Sequence, residues 1–179
     1  MKRSVWITLL VALAFAAIGA YVGMARLAPD APVPDAVTQL MAESIPDAAG
    51  TPQPLRQWQG KLLVVNFWAT WCAPCVQEMP ELSALQTELA GKNIQILGIG
   101  IDSAKNIAEF SSKYKITYPL FAAGMGGARL TRAFGNQAGG LPFTVLITPS
   151  GQIHKTYLGQ LKMEELRRDL AAVPGTNGI

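Results

Sequence analysis

Histidine is almost absent from this chain and cysteine nearly so: of 179 residues, one is His154 and two are Cys72 and Cys75. With no second cysteine pair, these three fall short of the four N or S ligands that a structural zinc site takes. His154 reads instead as an exposed strand residue near the C-terminus. No cysteine lies near residue 25, which excludes lipid attachment through a thiol there. A basic cluster after residue 27 is also missing. A nucleic-acid binder concentrates Lys and Arg on its folded part to displace phosphate counterions, so nucleic acid is set aside as a partner. The formal charge of +3 does not alter this. Three of the fifteen basic residues, Lys2, Arg3 and Arg26, flank one apolar segment, which leaves twelve against the twelve acidic ones. Internal repeats and low-complexity tracts are lacking too.

Charge is absent from Ser4 to Ala25. These roughly 22 positions are long enough, at about 1.5 Å per residue, to cross a hydrocarbon core. Trp6 and Tyr21 sit near its ends, where amphipathic rings favour the membrane interface, and Lys2 and Arg3 hold the N-terminus in the cytoplasm. Residues 1–27 are therefore expected to be an uncleaved transmembrane signal-anchor in the bacterial inner membrane, with the remainder facing the periplasm. The rival is a cleaved signal peptide. Against it, the apolar run exceeds a usual h-region, and Arg26 follows the one tolerable small-residue site, Gly23-Met24-Ala25. Pro29, Pro32 and Pro34 then make residues 28–37 an extended, Pro-rich linker, leaving 38–179 for one compact domain.

Within that domain the spacing predicts a short strand over Thr38–Ser44, a turn at Pro46–Gly50 and a helical turn around Leu55–Gln59. The run LLVVNFWA, Leu62–Ala69, is nearly unbroken in hydrophobicity, as in a central strand buried on both faces. A helix follows, with Val76, Met79, Leu82, Leu85 and Leu89 on one stripe, a bend expected at Pro80, and an end at Gly91-Lys92-Asn93. Ile94–Ile101 is a second buried strand, Asp102-Ser103 caps a helix to about Tyr114, and Tyr118–Ala122 is a third strand. Gly124, Gly126 and Gly127 read as a loop before a short helix at Ala128–Phe134. Phe143–Thr148 and Gln152–Leu158, joined by Pro149-Ser150-Gly151, form an antiparallel hairpin, and Lys162–Val173 a closing amphipathic helix. Alternating strands and helices that end in a hairpin give an α/β fold with a mixed sheet.

Both cysteines fall in one Cys-x-x-Cys between a buried strand and a helix, the context that makes this spacing specific. At a helix N-terminus Cys72 meets unpaired N–H groups and the positive end of the dipole, which lower a thiol pKa and populate the nucleophilic thiolate. Cys75, one turn on, can resolve a mixed disulfide formed at Cys72. A plain staple is the alternative, but so short a loop constrains the unfolded chain little. Leu141-Pro142 precedes a strand, where a first residue needs no ladder donor. Glu78 lies three residues past Cys75, on the same helix face; it is either a base serving Cys75 or a solvated carboxylate.

The phrase NFWATWCAPC, a proline five residues past the second cysteine, and Leu-Pro before FTVLITPSGQI resemble the thioredoxin superfamily. The N-terminal apolar segment, Glu78 and an extra strand-helix insertion near Asp102–Ala122 are similar to its TlpA/ResA branch, over about Thr38–Val173. The resemblance implies a thioredoxin fold, a central mixed β-sheet flanked by helices. Cys72 would be the attacking thiol and Cys75 the resolving one, forming a redox-active disulfide, and Pro142 after Leu141 a cis-proline beside the sulfurs. Trp71 would flank the disulfide, with Pro74 between the cysteines and Trp68 supporting the loop. Asn66 stands where cytoplasmic thioredoxin has a buried Asp; an amide cannot accept a proton, which leaves Glu78 as the base, as in ResA-like proteins. No cofactor or metal is implied. The implied partners are protein disulfides or dithiols, apocytochrome c among them, and a transmembrane electron donor of the DsbD/CcdA type. Ala73-Pro74 does not distinguish a reductase from a disulfide-introducing oxidase or isomerase. A copper metallochaperone on the same fold is disfavoured by the two-residue spacer, and a peroxidase by the paired cysteines.

Overall fold

A computed structural model describes residues 35–174. The expected anchor at 1–27 and the linker up to residue 34 lie outside the described residues, and among these no helix is long and apolar enough to cross a membrane. Asp35 starts the first helix among the described residues, α1 (Ala36–Ala42), its carboxylate accepting from the backbone N–H of Val37 and Thr38 at 3.0 and 2.9 Å. This corrects the strand expected over Thr38–Ser44 and the end of the linker expected over 28–37, whose residues 35–37 cap and begin the helix. The β-branched Val37 and Thr38 are outweighed by the Asp35 cap and by Ala36, Val37 and Leu40, which the helix buries on one side. A hairpin of β1 (Ser44–Pro46) and β2 (Pro52–Pro54) comes next. Its turn is held by the Asp47 carboxylate, which accepts from the N–H of Ala49 and Thr51, both at 2.9 Å. A 3₁₀ turn, Leu55–Trp58, leads into the sheet.

Strand β3 (Leu62–Trp68) is buried at all seven positions. The elements that follow are α2 (Ala73–Glu88), β4 (Ile94–Gly100), α3 (Ala104–Tyr114), β5 (Leu120–Ala122), α4 (Met125–Ala133), β6 (Phe143–Ile147), β7 (Ile153–Leu158) and α5 (Met163–Ala172). Pro80 lies inside α2 without ending it. The glycines expected to form a loop divide. Gly124, at φ +50°, precedes α4, whereas Gly126 and Gly127 belong to the helix. A Cβ on Gly127 would stand 3.0 Å from the Ile101 side chain, so a glycine here lets α4 approach the sheet.

The five-stranded sheet runs β5-β4-β3-β6-β7, with β3, β4 and β5 parallel and β6 and β7 antiparallel to their neighbours. It is the expected mixed sheet, and α3 with β5 is the added segment that extends its edge. Alternation along β3 divides the core. Val64 and Trp68 pack with α2, α3 and α5 through Met79, Leu82, Ile107 and Leu166. Leu63, Val65 and Phe67 face α1 and α4 through Leu40 and Leu130. The result is a thioredoxin-like α/β fold with helices on both faces of the sheet.

Packing is close at Gly98 in β4, where an added Cβ would lie 2.4 Å from Leu120 Cδ2 and 3.2 Å from Trp68 Nε1. Gly98→Ala is expected to destabilise the domain by about 1–3 kcal/mol, as overpacking of a filled core does. A lower urea midpoint checks this, and an unchanged midpoint would show that the sheet yields at this point.

Candidate active site

Strand β3 ends at Trp68, and the chain turns through Ala69–Trp71 into α2. Cys72 is the N-cap of that helix, its sulfur accepting from the Cys75 N–H at 3.3 Å while its carbonyl accepts from the Val76 N–H at 3.1 Å. Pro74 occupies the first turn, where no amide donor is needed. Cys72 and Cys75 are joined as a disulfide. Cys72 is 6% exposed and Cys75 fully buried, so an incoming group meets Cys72 first. Trp71 beside it is 70% exposed, unlike Trp68, which is buried against Phe110. The Thr70 hydroxyl donates to Asp102, tying this turn to the start of α3.

From the other side, the register that pairs Phe67 with Phe143 brings Leu141-Pro142 to the same end of the sheet. That peptide bond is cis, Pro142 is buried, and its carbonyl accepts from the Gly159 N–H at 2.8 Å. The ladder thus gathers the cysteine turn and the proline turn, 70 residues apart in sequence, at one edge.

Glu78 is fully buried, on the face of α2 that carries Cys75, Leu82 and Leu85, so it is not a solvated helix carboxylate. Its Oε1 accepts from Asn66 Nδ2 at 2.7 Å and its Oε2 from the Leu161 N–H at 2.8 Å. Asn66 Nδ2 also donates to Thr144 Oγ1 at 3.0 Å. Burial pushes the Glu78 pKa up to about 7, against the two hydrogen bonds that favour the ion, with Glu81 adding to the rise. The group can therefore exchange a proton near neutral pH. Asn66 Oδ1, Trp68 Nε1 and Tyr118 Oη are buried without a hydrogen-bond partner. Burial, helped by the nearby Glu78 charge, holds the Tyr118 hydroxyl well above the ordinary tyrosine pKa.

Asn66, Trp71, Cys72, Pro74, Cys75, Glu78, Leu141 and Pro142 sit at or just beneath this edge, whereas His154 is exposed on β7. The sequence reading missed Thr144 and the Leu161 N–H. Thr144 is the one polar residue in the run PFTVLI, a signal that could have flagged it; nothing local marks Leu161. A cavity of about 520 Å³ lined by Asp35, Arg56, Lys61 and Pro149 lies at the opposite end of the sheet and holds none of these groups. Disulfide exchange with a protein needs an accessible sulfur rather than an enclosing pocket, and the chemistry belongs to the cysteine edge.

Residues 28–173 match the Redoxin family. The chain is 29% identical over 128 residues to thiol-disulfide oxidoreductase ResA of Geobacillus thermodenitrificans, covering 71% of each protein. It is 30% identical over 131 residues to thioredoxin-like protein YneN of Bacillus subtilis, covering 71% of this chain and 74% of that one. Among solved structures, a secreted disulfide oxidoreductase of Mycobacterium tuberculosis shares the fold at a TM-score of 0.64 and 21% identity, covering 75% of this chain and 98% of that one.

The raised carboxyl has a consequence for stability. A pKa lifted from 4.5 unfolded to about 7 folded means that the neutral form suits the native state. Its favourable balance is present below about pH 4.5 and is lost as pH rises through 7. Glu78→Gln, neutral at every pH, is expected to gain up to about 3 kcal/mol on the native chain between pH 4.5 and pH 8. Urea melts of both proteins at pH 5 and pH 8 check this; parallel stabilities at the two pH values would contradict the buried, titrating carboxyl.

Proposed function

The chain belongs to the Redoxin family and is a thioredoxin-like thiol:disulfide oxidoreductase, and from that premise we propose that it acts as a membrane-anchored reductase of protein disulfides in the bacterial periplasm. The observation that carries the reading is the pairing of Cys72, the more exposed of the two sulfurs and the cap of α2, with a buried Glu78 whose pKa is pushed up to about 7, three residues past Cys75. The uncharged segment Ser4–Ala25 supports the anchor, and Lys2 and Arg3 the outward orientation.

In the reduced state the Cys72 thiolate, favoured by the free N–H groups of the helix end, attacks one sulfur of a partner disulfide. A Cys72–partner disulfide forms and the partner's other sulfur leaves as a thiolate. Glu78 takes the Cys75 proton, and the Cys75 thiolate attacks the Cys72 sulfur. The second partner thiolate leaves, two electrons have passed to the partner, and Cys72–Cys75 is the disulfide found here. Leu141, before the cis Pro142, packs against the cluster that includes Cys72. Each turnover leaves the chain oxidised, so a donor must deliver electrons across the membrane. A transmembrane carrier of the DsbD/CcdA type suits that need, and a heme-binding cysteine pair of apocytochrome c suits the acceptor role.

Cys72→Ala is expected to abolish reduction of insulin disulfides, whereas Cys75→Ala accumulates a mixed disulfide with the partner. The latter is read as a band on non-reducing gels that dithiothreitol removes. Full insulin reduction by Cys72→Ala would refute the assignment.

A further inference from the structure

The Glu78 carboxyl must exist in two forms during turnover, and a buried polar group without a matching partner costs about 1–3 kcal/mol. A carboxylate wants donors on both oxygens, whereas a carboxylic acid needs an acceptor for its own proton. The surroundings of Glu78 bear on how both forms are accommodated.

Four facts converge. Oε2 is met by the Leu161 N–H, a backbone donor that cannot change. Oε1 is met by Asn66 Nδ2, which also donates to Thr144 Oγ1. Asn66 Oδ1 is buried with no partner. Asn66, Glu78 and Thr144 are all buried, so the missing bond is not made by bulk solvent. An orphaned acceptor on the amide that contacts the carboxyl is what the ionised form leaves over and what the protonated form requires.

We propose that Asn66 and Thr144 form a reversible cradle, in which the Asn66 amide turns over about its Cβ–Cγ bond when Glu78 gains or loses its proton. With Glu78 ionised, Nδ2 donates to Oε1 and to the Thr144 hydroxyl, the arrangement seen here. With Glu78 protonated on Oε1, the turned amide presents Oδ1, which accepts from the Glu78 O–H and from the Thr144 hydroxyl, while Leu161 still donates to Oε2 and Nδ2 takes the unpartnered place that Oδ1 leaves. Thr144 follows because a hydroxyl both donates and accepts. Asn66 is thus a positioning residue that acts through Glu78. An aspartate at position 66 could not do this, since two carboxyls in one buried site cannot both ionise.

Other groups around Glu78 do not replace this cradle. Glu81 and Cys75 lie on its own helix, and Tyr118 stands at the entry to β5; β3, β6 and the segment before α5 offer it the neutral groups of Asn66, Thr144 and Leu161. The proposal rests on Glu78 being the proton-exchanging group of the disulfide site. Its test uses the oxidised chain without turnover, so failure of the cradle and failure of the reductase reading are told apart.

The experiment is a pH titration, from 5 to 9, of the Asn66 side-chain amide by nuclear magnetic resonance in the full-length oxidised protein labelled with ¹⁵N-asparagine, with carboxyl-¹³C-glutamate reporting Glu78. Both Asn66 Nδ2 protons are expected to be shifted downfield and protected from exchange at pH 9. The downfield shift should be lost on the acid side, with the midpoint of the Glu78 carboxyl signal, while burial keeps the protons protected. Glu78→Gln should make the Asn66 signals independent of pH, and Asn66→Asp should raise the proton affinity of Glu78 about tenfold or more. If Glu78 titrates while the Asn66 protons keep their downfield shifts, the amide does not turn and the cradle is wrong. If Glu78 does not titrate in this range, the cradle falls as well, while Cys72-dependent insulin reduction still stands or fails by itself.

Discussion

A carboxyl taken out of water behind a reactive disulfide constrains the rest of this structure. Desolvation raises the proton affinity of Glu78 and hydrogen bonds from Asn66 and Leu161 oppose the rise, so that its pKa lies at about 7. The balance needs donors from two separate elements, β3 and the segment before α5, delivered to the face of α2 that carries Cys75. Strand β3 can supply one because it is buried on both faces and has a single polar side chain, Asn66, among apolar ones. The closing helix α5 packs Leu166 and Leu170 against the same core, which fixes the turn holding Leu161.

The two chemical groups of the site therefore differ in what holds them. Cys72 is placed by local structure: a strand end, a tight turn and a helix start set its sulfur within reach of free N–H groups. Glu78 is placed by tertiary structure, with partners from residues 66, 144 and 161. Changes in the outer turn alter access to the sulfur, whereas changes in the core beneath it alter proton affinity. One fold can in this way keep the same pair of thiols while varying its redox properties.

The same distinction explains what could be read from residues alone. The buried strand LLVVNFWA, the cysteine pair, the helix behind it and the C-terminal hairpin carry strong local patterns, and each forms where it was expected. The helix Ala36–Ala42 was misread because seven residues give too short a pattern to separate a helix from a strand, and the Asp35 cap weighs more than the β-branched side chains. Gly126 and Gly127 were misread because glycine marks both loops and close helix–sheet contacts. Glu78 could be placed on the helix face of Cys75, but not buried or exposed, since its partner Leu161 follows it by 83 residues. Thr144 went unnoticed for the same reason: its role exists only once β6 lies beside β3.

Direction of electron flow is the central claim, and the equilibrium reduction potential of the Cys72–Cys75 couple tests it most directly. It is read by alkylating the free thiols of the full-length protein in a graded series of glutathione buffers. A value near the −270 mV of thioredoxin is predicted, placing the chain among donors of electrons to partner disulfides. A value near −120 mV, where strong oxidants lie, would contradict the account and make this chain an introducer of disulfides.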